Sequence, residues 1–295
     1  MGTLVNLNGT LVPPQEATIS VFDRGFLYGD SVYEVVRTYG GRPFAMDRHL
    51  LRMQGSAERI GMELPWSDEK ILAEVERTLA AAGNEESYVR IVATRGAGAI
   101  GLDTALASDP QMLVIVQPIH LPPPEAYEQG VKVQLVGVRK NLREAIDPKA
   151  KTGNYLNNVL ALREAKARGA YEAVMLDSDG RITEGSTSNL FVVQGGRLIT
   201  PPSEVGILEG VTRSVIFEVA QAEGIPVEER HLLPADLLGA DEAMITSSVR
   251  EIVPAVRVGI EDEEHLLGGG KVGPVVRRIT AAFRAWARRS VGLGG

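Results

Sequence analysis

The chain of 295 residues contains no cysteine. That absence excludes disulfides, thiolate zinc sites and a cysteine nucleophile together. Histidine is scarce: His49, His120, His231 and His265 stand far apart with no HxxxH spacing, so no metal site is expected. A run of about 18 apolar residues is also missing, and Met1–Gly9 lacks a basic stretch followed by an apolar one. A cytoplasmic protein free of the membrane is the expectation. The net charge of −7, with no long basic block, argues against nucleic acid as a partner. What is present, 44% hydrophobic and 23% charged residues, suits a soluble globular protein with one large domain or two ordinary ones.

The pattern along the chain mixes strands and helices. Leu4–Leu7 and Thr10–Val12 flank an Asn8-Gly9 hairpin signal, and Ala17–Phe22 reads as a further strand. Asp23 to Glu34 gathers two glycines, the tyrosines Tyr28 and Tyr33, and four charges, after which Val35–Tyr39 resumes as a strand. Helical spacing follows from Asp47, with Leu50, Leu51, Met53, Ala57 and Ile60 on one side, and a second helix starts at a Ser67 cap. Tyr88–Thr94 and Met112–Gln117 read as buried strands. The loop between them, Gly96 to Asp103, is glycine-rich but opens no helix, which removes a dinucleotide fingerprint. Pro122-Pro123-Pro124 makes a stiff spacer. The expected organisation is a small α/β domain over 1–117, a linker over 118–126 and a larger domain over 127–295. No internal repeat or low-complexity tract interrupts it.

The segment Asp147-Pro148-Lys149-Ala150-Lys151-Thr152-Gly153-Asn154-Tyr155 is the hardest to read as scaffold. It sets two lysines just ahead of an apolar helical run. Taken alone it is a solvated loop. Partial desolvation of one ammonium group would instead give a usable amine nucleophile. Three other segments suit an anion. Gly210-Val211-Thr212 opens a helix, Ser247-Ser248 offers hydroxyls at a strand end, and Arg52 carries a guanidinium fork. A cofactor with both a phosphate and an aldehyde is pyridoxal phosphate. It needs a carboxylate at its ring nitrogen, and Glu184, set among small polar residues in Thr183-Glu184-Gly185-Ser186-Thr187-Ser188-Asn189, is the candidate.

With these motifs in this order, nearly the whole chain resembles the class IV aminotransferases. This is the fold type IV pyridoxal-phosphate family that includes branched-chain and D-amino acid aminotransferases and aminodeoxychorismate lyase. The likeness rests on Asp23-Arg24-Gly25, on Gly29-Asp30-Ser31-Val32-Tyr33-Glu34, on His49-Leu50-Leu51-Arg52 and on Lys151 to Asn158. It continues through Thr183 to Asn189, Leu208 to Arg213 and Thr246-Ser247-Ser248. The resemblance implies an α/β (α+β) fold with a pseudo-barrel in the larger domain, and a homodimer with shared active sites. It implies Lys151, rather than Lys149, as the Schiff-base residue and acid/base catalyst of a ping-pong transamination. Glu184 would meet the ring nitrogen and Tyr155 the ring hydroxyl, and Leu208 would pack on the ring. Arg52, Val211, Thr212, Ser247 and Ser248 would hold the phosphate.

On the substrate side stand Tyr28, Tyr33, Tyr88, Arg90 and Val249. Tyr88-Val89-Arg90 resembles an element of the branched-chain enzymes. Val249-Arg250, however, replaces the small residues those enzymes carry after the phosphate-binding residue, which favours a D-amino acid transaminase with Arg90 as carboxylate anchor. Branched-chain and lyase activities are the alternatives, with a non-enzymatic α/β binding protein as the contrasting reading.

Overall fold

A computed structural model describes residues 2–294; Met1 and Gly295, the outer limits of the two expected domains, lie outside the described residues. The chain divides into two compact units. One comprises Met1–His120, Ala150–Asn154 and Arg288–Gly295; the other comprises Leu121–Lys149 and Tyr155–Ala287. The segment Ala150–Asn154, which carries Lys151, therefore groups with the first unit although it follows the proline-rich spacer.

The first unit is built on a six-stranded antiparallel sheet. Its strands are β1 (Leu4–Leu7), β2 (Thr10–Val12), β3 (Ser31–Tyr39), β4 (Arg42–Pro43), β5 (Ser87–Thr94) and β6 (Gln111–Pro118), in the order β2-β1-β6-β5-β3-β4. Beside them lie the short helix α1 (Arg24–Tyr28) and two longer helices, α2 (Met46–Arg59) and α3 (Asp68–Ala82). Helix α3 starts at Ser67, whose hydroxyl accepts from the Lys70 N–H at 3.3 Å, and ends on Gly83 with φ of +63°. Side chains alternate along a strand. On β3 and β5 this sends Val32, Val36, Val89, Ile91 and Ala93 into the core with Leu50, Met53 and Ala57 of α2 and Ile71 and Val75 of α3. Tyr33, Tyr88 and Arg90 belong to the opposite face, since Val35 pairs with Arg90 and Arg37 with Tyr88.

Two local expectations fail here. Ala17–Phe22 forms no strand, although its residues have strand propensity, because no neighbouring strand pairs with it. Strand β3 begins at Ser31 rather than Val35. Glu34, one of the four charges gathered in the Asp23–Glu34 segment, lies in this strand and is fully buried on the helix-facing side.

The second unit contains β7 (Val131–Leu135), β8 (Glu172–Leu176), β9 (Ile182–Gly185), β10 (Asn189–Gln194), β11 (Arg197–Thr200), β12 (Val227–Glu229), β13 (Glu242–Ser247), β14 (Glu251–Ile260) and β15 (Glu263–Leu266). The mixed sheet runs β12-β11-β10-β13-β14-β7-β8-β9, with β15 on β14. Strand β9 returns beside β10, so the sheet curls round a core of Val133, Val174, Ile182, Leu190, Ile245 and Val253. Helices α4 (Pro124–Glu128), α5 (Leu156–Ala167), α6 (Val211–Ala222), α7 (Pro234–Leu238) and α8 (Pro274–Ser290) complete it, the last residues of α8 grouping with the first unit. The chain is thus mixed α/β.

Glu34 ties β3 to α2. Its Oε1 accepts from Arg52 Nε at 2.7 Å, while its Oε2 accepts from Arg52 Nη2 and His49 Nδ1, each at 2.7 Å. Burial alone would raise its pKa, but the charges and hydrogen bonds of Arg52 and His49 outweigh it and hold the carboxyl at about 2 instead of 4.5. Because the folded value is depressed, the stabilisation is present above pH 4.5 and fades as pH falls toward 2. The displacement corresponds to roughly 3 kcal/mol. Glu34→Gln should therefore lower the unfolding free energy by about 3 kcal/mol at pH 7, with the gap to wild type narrowing as pH falls from 4.5 toward about 2. Urea denaturation across that range checks this; a gap independent of pH would show that the Glu34 charge is not the anchor.

Candidate active site

In the first unit the lysine segment runs as an added strand against the start of β3. The Tyr33 N–H donates to the Lys151 carbonyl at 3.0 Å, Thr152 bridges Val32, and the Gly153 N–H donates to the Ser31 carbonyl at 2.9 Å. The Lys151 N–H donates to Ser56 Oγ at 3.0 Å, adding an anchor from α2. A side chain at 153 would press on Ser31 Oγ at 2.5 Å and on the Gly29 carbonyl at 3.2 Å, so glycine is required there by proximity. The Lys151 backbone is thereby held from both β3 and α2.

Its amine lies 3.3 Å from Tyr33 Oη and 4.3 Å from the centroid of the Tyr33 ring. The Arg90 guanidinium lies 3.9 Å from the same centroid. Two cations thus share one buried tyrosine ring. Arg90 is half-buried and, among the described residues, has no carboxylate within ion-pair distance. Lys149 differs from Lys151: it pairs with Glu209 at 2.8 Å in the second unit.

The other candidates of the first unit go to separate places. Arg52 grips Glu34, as described above, with its side chain 14% exposed. Next to it, the buried His49 Nε2 has no hydrogen-bond partner among the described residues. Burial, which disfavours the imidazolium, dominates over Glu34 and keeps the His49 pKa below its ordinary value. Tyr28 sits under Arg24, 5.0 Å from guanidinium carbon to ring, and its hydroxyl accepts from the Gly101 N–H at 3.2 Å. Tyr88 lies half-buried on β5, on the same face as Arg90.

In the second unit Glu184 is buried on β9, with its oxygens occupied. Lys140 Nζ donates to Oε1 at 2.6 Å; the Leu208 N–H at 3.0 Å and Asn189 Nδ2 at 3.3 Å donate to Oε2. Asn189 also donates to the Leu208 carbonyl at 2.8 Å, so Leu208 is fixed on the same carboxylate. Helix α6 opens on Gly210, which offers no side-chain cap, leaving its first N–H groups and dipole to meet an anion. Val211 and Thr212 are buried there, and Thr212 Oγ1 and Thr246 Oγ1 lack partners among the described residues. Buried hydroxyls are normally satisfied. These two, with the uncapped helix end, fit an anion such as a phosphate. Ser247 and Ser248 lie half-buried at the end of β13, followed by Val249, and Tyr155 stands at the N-terminus of α5.

Several residues here carry no role in the sequence motifs. Glu172, buried on β8, accepts from the Ser186 N–H at 3.1 Å, from the Ser186 hydroxyl, and from the Thr187 and Ser188 hydroxyls, each at 3.1 Å. Arg250 Nη2 adds an ion pair at 2.9 Å. Burial alone would raise the Glu172 pKa, but Arg250 and the hydroxyl donors hold it below the usual carboxylate range. An acid inside the apolar run Glu172-Ala173-Val174-Met175 was the available signal. Lys140 gave none, and Asn189 stood in the Thr183–Asn189 motif without a role of its own.

Residues 31–258 match the family model for amino-transferase class IV. The chain is 36% identical over 280 residues to a putative branched-chain-amino-acid aminotransferase of Methanocaldococcus jannaschii, covering 95% of each chain. It is 30% identical over 280 residues to a D-alanine aminotransferase of Bacillus licheniformis, again covering 95% of each. Among solved structures, a T.th. branched-chain amino acid aminotransferase with pyridoxamine 5′-phosphate superimposes with a TM-score of 0.89 at 30% identity, over 97% of this chain and 94% of the other. The mixed α/β architecture, the curled sheet and the sequence motifs agree with those matches. This chain belongs to the class IV aminotransferases, enzymes that use pyridoxal 5′-phosphate.

Proposed function

We propose that the chain transfers amino groups between an amino acid and a 2-oxo acid, carries pyridoxal 5′-phosphate on Lys151, and favours D-amino acids. The observation that carries this is the Tyr33 stack, with Arg90 and Lys151 both against one ring. An anion held by Arg90 is then one tyrosine ring from the amine that must move a proton at the substrate Cα. When bound, the cofactor supplies the electron sink that makes this proton removable. Glu184 provides the carboxylate for the ring nitrogen, beside Leu208. Arg52, Thr212, Ser247 and Ser248, with the N–H groups of Val211 and Thr212, offer donors to the phosphate, and Tyr155 a donor to the ring hydroxyl. Lys151 acts as base and then as acid, first as an oxo acid product leaves and again as a second oxo acid takes up the amino group.

The hand of the substrate follows from where its carboxylate goes. With the amino group and the Cα hydrogen fixed, exchanging carboxylate and side chain inverts the enantiomer. Arg90 is one candidate anchor. The turn after β13 would be the alternative, and there Val249 adds bulk while Arg250 is already neutralised by Glu172. This supports Arg90 as the anchor and D-amino acids as substrates. The 36% identity to a putative branched-chain enzyme favours L-amino acids as the second reading.

Half-reactions separate the two. The holoenzyme mixed with D- or L-alanine, D- or L-glutamate and L-leucine should lose its near-visible absorbance with the D-amino acids. Conversion by L-leucine and L-glutamate alone overturns the proposal. Borohydride should fix cofactor to the wild type and to Lys149→Ala but not to Lys151→Ala; the reverse pattern would move the cofactor to Lys149.

A homodimer is also proposed. Phe26 is 67% and Leu102 is 82% exposed, beside exposed Val21, Phe22 and Ile100. Arg24 ties α1 to the loop carrying Ile100 and Leu102 by donating to the Gly101, Leu102 and Asp103 carbonyls. Apolar groups presented this rigidly suit an interface. Phe26→Glu with Leu102→Glu should give monomers in sedimentation velocity, and dimers persisting in that variant would exclude this face.

A further inference from the structure

The turn that joins β13 to β14 carries an arginine whose contacts have a chemical consequence for Ser247. The Arg250 N–H donates to Ser247 Oγ at 3.3 Å, and Arg250 Nε donates to the same oxygen at 3.1 Å. A serine hydroxyl has two acceptor sites and one hydrogen. With two donors already on the oxygen, its acceptor sites are filled, and the O–H that remains can only donate to a further partner.

Arg250 is itself fixed. Its Nη2 donates to Glu172 Oε2 at 2.9 Å, to Thr187 Oγ1 at 2.7 Å and to the Thr187 carbonyl at 3.3 Å. Its own carbonyl accepts from the Tyr127 hydroxyl at 3.2 Å, and its guanidinium lies 5.6 Å from the Tyr171 ring. The side chain is 18% exposed and its partner Glu172 is fully buried. An arginine so committed cannot swing out to receive a substrate carboxylate without leaving Glu172 uncompensated.

We infer that Arg250 is a positioning residue for the cofactor phosphate: it sets the Ser247 hydroxyl as an obligatory donor to that phosphate and does not touch the substrate. The inference rests on Ser247 being a phosphate ligand, as its position at the end of β13 suggests. Arg250 therefore acts through Ser247 and through the Ser186–Ser188 segment that it shares with Glu172. The apparent bulk after the phosphate-binding serines has a purpose in this geometry, since no small residue offers a guanidinium to Ser247.

The test compares pyridoxal 5′-phosphate with pyridoxal, which lacks the phosphate, in titrations of the full-length apoenzyme. The ratio of the two dissociation constants reads the phosphate contribution alone. Ser247→Ala should reduce the preference for the phosphorylated form about tenfold or more, as for loss of one hydrogen bond to a charged group. Arg250→Met alone would strand Glu172, so the informative variant is Glu172→Gln with Arg250→Met, which removes both charges together. It should reduce the ratio by a similar factor, and adding Ser247→Ala to it should change little more. Arg250→Lys, which keeps a cation for Glu172 but loses the Nε donor, should fall between. The ³¹P resonance of the bound cofactor should shift in each.

Retention of the wild-type ratio by the double variant, while Ser247→Ala loses it, would overturn the inference. So would a rise in KM for the amino acid in Arg250→Lys with the ratio unchanged, which would put Arg250 against the substrate. Should Ser247→Ala itself keep the ratio, Ser247 is not a phosphate ligand, and the premise falls with the inference.

Discussion

A carboxylate removed from water has to be surrounded by donors, and each unit of this chain is arranged round one. In the first unit Glu34 collects Arg52 and His49 from α2; in the second, Glu172 collects three hydroxyls, two backbone N–H groups and Arg250. Removing one partner of such a cluster costs about 3–5 kcal/mol, because the other charge is left buried alone. The clusters therefore fix geometry as well as stability. Strand β3 shows how closely the two are linked. Tyr33 and Glu34 are neighbours in sequence and point to opposite faces, so one register both anchors α2 and presents the ring that Arg90 and Lys151 share. A slip of one residue would exchange the two faces and lose both.

The lysine segment is positioned by the same strand. Pairing with Ser31 to Tyr33 places Lys151 in an extended backbone, and Gly153 permits the close approach to Gly29 and Ser31. The sequence suggested a lysine poised ahead of a helix. Helix α5 does follow, but it buries only Ala161 and Ala165 along its length. The sheet, not the helix, aims the amine. That arrangement restricts the lysine backbone while its four side-chain torsions can still rotate, which would suit the proton transfer proposed for it.

Local signals were legible in the chain where the physics is local. The Asn8-Gly9 hairpin, the Ser67 cap and the glycine ahead of α6 all appear where their residues indicate. The family motifs carried the class of cofactor and reaction. What the chain did not disclose depends on pairing through space. Glu34 reaches residues 15 and 18 positions away, Lys140 reaches Glu184 across 44, and Glu172 meets Arg250 across 78. An acid within an apolar strand announces that a partner exists but not which one. Ala17–Phe22 erred in the opposite direction, because propensity without a pairing partner does not make a strand.

The distribution of countercharges also bears on where a substrate anion would go. Arg52 is matched by Glu34, Lys140 by Glu184, Lys149 by Glu209 and Arg250 by Glu172. Arg90 instead rests on the Tyr33 ring. A cation–π contact is worth about 0.5–2 kcal/mol, whereas opening a buried ion pair costs about 3–5 kcal/mol. On the proposed reading, an incoming carboxylate would engage Arg90 at little cost to the aromatic contact, whereas recruiting Arg250 would break a matched pair. The same comparison separates two tasks among the arginines. Those paired with buried carboxylates are rigid, as the proposed cofactor role requires, while Arg90, resting on the Tyr33 ring, would suit the substrate proposed to arrive and leave in each cycle.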